Sequence, residues 1–167
     1  MYDARRITYI ALFIAIATVL NIVEKAIVIP GALPGIKLGL ANIMTLLSIM
    51  MLGGKDAVLI VAIRCVLGAM IAGNPVSFLF SITGGLLSIL VMALLWHFFK
   101  ERVSIIIVSM IGAVFHNIGQ LLVAAVLVNS YYVYSILPVL MVSALATGYI
   151  IGLVSKRVYR SIGQAQS

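Results

Sequence analysis

The chain has 167 residues, of which 64% are hydrophobic and 9% charged, and its mean hydropathy is +1.27. A soluble core of this size cannot hide so much apolar surface, so the composition excludes an ordinary soluble domain and makes lipid the solvent. The net charge of +7 does not imply nucleic acid, because the basic residues sit in short loops and termini between apolar runs, a pattern of membrane orientation.

In chain order the hydropathy predicts six spans, about 7–28, 38–53, 56–72, 76–98, 103–128 and 135–155. They form one transmembrane domain over 1–167. The short basic start, Met1 to Arg6, leads into a full-length span, so no cleavable signal peptide is expected. Pro30, Gly31, Pro34 and Gly35 break the first connection. "GGKD" at 53–56 and "GNP" at 73–75 are tight turns, and Pro75 disfavours helix at Asn74. "KER" at 100–102 separates spans four and five. "NSYYVYS" at 129–135 reads as a polar, aromatic interfacial loop.

Six spans place both termini on one side. That side carries Arg5, Arg6, Lys55, Lys100, Arg102, Lys156, Arg157 and Arg160; the other carries Lys25 and Lys37. Eight against two makes both termini cytoplasmic by the positive-inside rule. The expected class is an all-α integral membrane protein of a cell membrane.

Ionisable residues inside a span are functional hypotheses by default. Arg64 lies near the middle of span three. It either pairs internally, with Glu24 as the candidate acid, or binds a carboxylate or phosphate through its guanidinium fork. In span five, His116 and Gln120 are four apart and Asn117 and Gln120 three apart, which puts all three on one helical face. Lys37 and Asn42 stand at the outer start of span two, with Gly39 between them to give clearance. The helix start there exposes amides that favour an anion. By depth, Lys37, Asn42, Arg64, His116, Asn117 and Gln120 run from the outer interface to the midplane. The inner half of the spans reads as nearly free of polar residues. The pattern describes a cavity open to the outside, for an anionic or zwitterionic ligand.

Small residues four apart make flat faces for close helix packing. Gly148 and Gly152, and Gly84 and Gly85 with Ser88, read mostly as internal packing. Ala11 and Ala15 in span one are the pair that suits a partner protein.

Absent motifs also bear on function. No glycine-rich phosphate loop is present, so the chain is not itself an ATPase. Its two aspartates, Asp3 and Asp56, read as cytoplasmic surface and form no cluster to hold magnesium on a diphosphate. The lone Cys65 forms no internal disulfide. No metal constellation or serine triad stands out. Neither cofactor nor enzymatic activity is expected.

The segments "LPGIKLGLAN" (33–42), "LFSITGGLLSILVM" (79–92) and "GAVFHNIGQLL" (112–122) resemble the bacterial Gx transporter family, often labelled heptaprenyl diphosphate synthase component I. The resemblance covers about residues 7–155. That family is similar to the substrate-binding S components of energy-coupling factor (ECF) transporters. The resemblance implies a six-helix membrane subunit in the bacterial plasma membrane. Such a subunit binds a vitamin or precursor from outside and docks on a T component coupled to two cytoplasmic ATPases. An Ala-x-x-x-Ala face in the first helix is a docking surface in that group, and Ala11 and Ala15 match it. The second reading is a non-catalytic membrane accessory of isoprenoid or menaquinone side-chain synthesis.

Overall fold

The computed structural model describes residues 3–25, 39–100 and 102–165. Among them the chain is helical throughout. The helices are α1 (Ala4–Lys25), α2 (Asn42–Met51), α3 (Gly54–Ala72), α4 (Pro75–Phe99), α5 (Ile105–Val128) and α6 (Leu137–Ala165), with a 3₁₀ turn at Tyr131–Ile136 before α6.

The six expected spans become six helices among the described residues. Four helices, α1, α4, α5 and α6, are long and apolar enough to cross a membrane. α2 has 10 residues, which at 1.5 Å per residue is about 15 Å, half of a hydrocarbon core. Its start is delayed to Asn42 because Gly39 takes a left-handed φ of 85° and the chain turns through Leu40 and Ala41. α3 has 19 residues but carries Lys55, Asp56 and Arg64. α6 runs about ten residues beyond the expected end at 155. Hydropathy fades there while the chain stays helical.

The helix boundaries follow their local chemistry. Asn74 caps α4: its Oδ1 accepts from the Val76 N–H at 2.9 Å, and Pro75 takes the first helical position, where its missing N–H matters least. Ser104 caps α5 by accepting from the Ile107 N–H at 3.2 Å. Gly73 closes α3 in the left-handed conformation.

Glycines set the approach of α4, α5 and α6. A Cβ on Gly119 would lie 2.8 Å from Gly84 Cα and 2.9 Å from Thr83 O. Cβ atoms on Gly148 and Gly152 would each lie 2.7 Å from a backbone Cα of α5, Met110 and Ile106. These helices therefore meet backbone against backbone, as small residues permit in lipid. The Gly148–Gly152 pair is internal packing, as read from the sequence.

The basic segments converge on one end. Arg6 Nε donates to Asp56 Oδ2 at 2.7 Å, and its Nη2 donates to Leu52 O at 3.2 Å. This joins the start of α1 to the turn between α2 and α3. Trp96 meets Tyr159 edge-on, joining the end of α4 to the end of α6. Asp56 is thus fully buried, not on the surface as its position suggested. An arginine fifty residues away covers it.

Gly119→Ala should destabilise the protein by about 1–3 kcal/mol, because its methyl meets backbone and not a yielding side chain. Gly54→Ala, whose methyl would sit 3.9 Å from Ala93 Cβ, should stay within about 1 kcal/mol of wild type. Thermal unfolding in detergent, followed by Trp96 fluorescence, separates the two.

Candidate binding site

The end of the bundle away from Arg6 and Asp56 holds a buried polar cluster built from five helices. Its centre is the Gly84–Gly85 step of α4. A Cβ on Gly84 would lie 3.0 Å from His116 Nδ1 and 2.8 Å from His116 O. On Gly85 it would lie 2.7 Å from Val61 Cγ1 and 3.4 Å from Arg64 Nη2. Two adjacent missing side chains thus make room for the imidazole from α5 and the guanidinium from α3.

Arg64 is 2% exposed, and its Nε and Nη2 have no hydrogen-bond partner among the described residues. A buried guanidinium with unused donors is an expensive state that a bound anion relieves. The ion pair among described residues that meets salt-bridge distance is Arg6–Asp56. Glu24, the other candidate partner, accepts from the Gly39 N–H. That bond ties the end of α1 to the approach to α2.

Asn42 is also buried, and both its Nδ2 and Oδ1 lack partners among the described residues. It stands beside the imidazole: a Cβ on Gly39 would lie 3.0 Å from Asn42 Nδ2 and 3.3 Å from His116 Cδ2. Gly39 therefore provides the clearance read from the sequence. Three of the helix-start amides are not open to an anion. The N–H groups of Asn42, Ile43 and Met44 already donate to Gly39, Leu40 and Ala41 carbonyls at 2.8–3.2 Å.

The span-five trio divides. His116 Nε2 lies 3.1 Å from Gln120 Nε2. With the amide NH₂ as donor, His116 Nε2 accepts and Nδ1 carries the ring proton. Asn117 turns toward α6, where its Nδ2 donates to Leu140 O at 2.9 Å. One end of that amide is interhelical glue, while its Oδ1 has no partner among the described residues. Lys37, Pro34 and Gly35 lie outside the described residues.

Sequence reading missed Asn21. It is 2% exposed, and its amide packs over Gly68, where a Cβ would lie 3.5 Å away. The available signal was its spacing of three from Glu24, which shares its face. Polar burial also reaches the basic half, against expectation. Ser48, Ser88, Ser109 and Ser155 are all buried there. Ser48 is satisfied by Thr45 O at 2.7 Å, and such hydroxyls bury cheaply between close-packed helices.

Arg64→Met removes a buried charge that lacks partners at two of its nitrogens and keeps the volume. Without ligand it should leave the melting temperature unchanged or raise it by about 2–4 °C. A fall of that size, measured in the same detergent, would show that Arg64 is a structural ion-pair partner instead.

No curated protein matches the chain. A solved structure described as "Structure and mechanism of the S component of a bacterial ECF transporter" has the same fold, with a TM-score of 0.75 over 98% of each chain at 20% identity. The chain therefore shares the fold of that S component, and four of its described helices are long and apolar enough to cross a membrane. The model for heptaprenyl diphosphate synthase component I matches residues 13–158, and the chain belongs to that family, also called the Gx transporter family.

Proposed function

We propose that the chain is the membrane-embedded substrate-binding subunit of an ATP-driven, ECF-type uptake transporter. Its ligand is a small anionic or zwitterionic compound of vitamin or precursor type, taken from outside. The observation that carries this reading is Arg64, buried beside the Gly84–Gly85 step with unused Nε and Nη2 donors. Asn42, His116, Asn117 and Gln120 supply neutral donors and acceptors, and Lys37 supplies charge at the rim. Guanidinium binds carboxylate and phosphate oxygens in pairs, so Arg64 sets the sign of the ligand.

The partners follow from the same reading. A subunit without an ATPase depends on a T component and two cytoplasmic ATPases. Ala11 and Ala15 are both exposed, beside exposed Leu12 and Ile16. The Gly148–Gly152 pair, by contrast, is consumed by α5. A small-residue face left open by its own fold is suited to another helix. Both termini, with the eight basic residues of their end, face the cytoplasm of a bacterial plasma membrane. The family description supports the second reading, a membrane accessory of prenyl chain synthesis; no feature of the site favours it.

Affinity purification from native membranes, followed by protein mass spectrometry, tests the assignment. The wild-type chain should bring down a T component and two ATPases. Ala11→Leu with Ala15→Leu should lose them by tenfold or more, about 1.4 kcal/mol or greater, while still folding. A prenyl synthase without ATPases would move the protein to the accessory reading.

A further inference from the structure

A groove at the basic end plays no part in the proposed ligand site. It has a volume of about 790 Å³ and lies on the outer face of α3 and α4. Val58, Leu86, Leu90, Ala93, Leu94 and Phe98 are among its walls. Val58, Leu86, Leu90, Leu94 and Phe98 are all more than 40% exposed, so the groove opens sideways to the membrane. From Leu86 to Phe98 it follows twelve residue-to-residue steps of α4, about 18 Å by helical rise. One leaflet of hydrocarbon is about 15 Å deep. The groove therefore has the length of a single acyl chain.

Its mouth is basic. Lys55 and His97 line it, and His97 and Phe98 also line an adjoining cleft of about 470 Å³ with Phe99, Lys100 and Arg102. Lys100 Nζ stands 5.8 Å from the Trp96 ring centroid, held over its face at the depth where tryptophan marks the interface. Around this mouth the sequence places Lys55, Lys100 and Arg102 against one nearby acid, Glu101; Asp56 is already paired with Arg6. An apolar slot one leaflet long, ending under three cations, matches the two parts of an anionic phospholipid.

We propose that this groove is a binding site for an anionic phospholipid. One acyl chain lies along α4, and the phosphate sits among Lys55, Lys100 and Arg102. The proposal rests on membrane insertion alone. It stands or falls separately from the identity of the transported ligand.

Native mass spectrometry of the purified full chain tests it, with phosphatidylglycerol and phosphatidylcholine of identical acyl chains as probes. The wild type should retain phosphatidylglycerol about tenfold over phosphatidylcholine, and the preference should shrink as salt rises. Lys55→Gln with Lys100→Gln and Arg102→Gln should reduce phosphatidylglycerol to the level of phosphatidylcholine. Ala93→Phe, which fills the slot, should reduce both. Equal retention of the two lipids by the wild type, or no retention of either, overturns the proposal. Displacement of phosphatidylglycerol by inorganic phosphate alone also overturns it, since the site would then read only the ion. If a variant does not fold, the wild-type headgroup preference and its salt dependence decide.

Discussion

The contact between Gly84 and Gly119 governs the half of this protein that lies away from Arg6 and Asp56. With no Cβ on either side, α4 and α5 touch through their backbones, and Thr83 O lies against the same point. In lipid there is little hydrophobic gain from bringing two apolar helices together, so close packing must hold them. The close approach fixes His116 over α4, and the next residue, Gly85, leaves room on the α3 side for Arg64. Gly84 and Gly119 thus set the α4–α5 approach and the seat of His116, and Gly85 sets the seat of Arg64.

That placement carries a stability penalty. A guanidinium buried at membrane depth with unused donors destabilises the ligand-free state, and so does an asparagine with both amide atoms unmatched. Structural polar groups in this chain look different. Asp56 is buried but covered by Arg6, and Ser48 reaches Thr45 O. Unmatched hydroxyls also occur at Ser88, Ser109 and Ser155, so what sets the Gly84–Gly85 region apart is a buried charge with unused donors, and the proposed ligand site rests on that. The same logic applies on α1. Its Ala11–Ala15 face is left open while the corresponding face of α6 is closed by α5.

Much of this was legible in the chain. Hydropathy located six helices, and Asn74–Pro75 and the glycines at 53 and 73 marked their ends. Arg64, Asn42 and His116 stood out because so few polar residues interrupt the apolar runs. What was not legible depended on tertiary contacts or backbone conformation. A hydropathy window over 38–53 does not register that Gly39 turns left-handed and shortens α2 to ten residues. Nor does the local sequence at Asp56 reveal an arginine fifty positions earlier. Spacing put Asn117 on the face of His116, but α6 passes close enough to take its amide. Two small-residue pairs of equal spacing, Ala11–Ala15 and Gly148–Gly152, differ in role only because α5 occupies one of them.

The central claim is that Arg64 and its neighbours hold an anionic ligand. The most direct test is metabolite mass spectrometry on purified protein incubated with a cell extract, wild type beside Arg64→Met. The account predicts at least one anionic or zwitterionic compound enriched on the wild type and absent from a folded Arg64→Met protein. The same compound retained by both proteins, or none retained by the wild type, would contradict it.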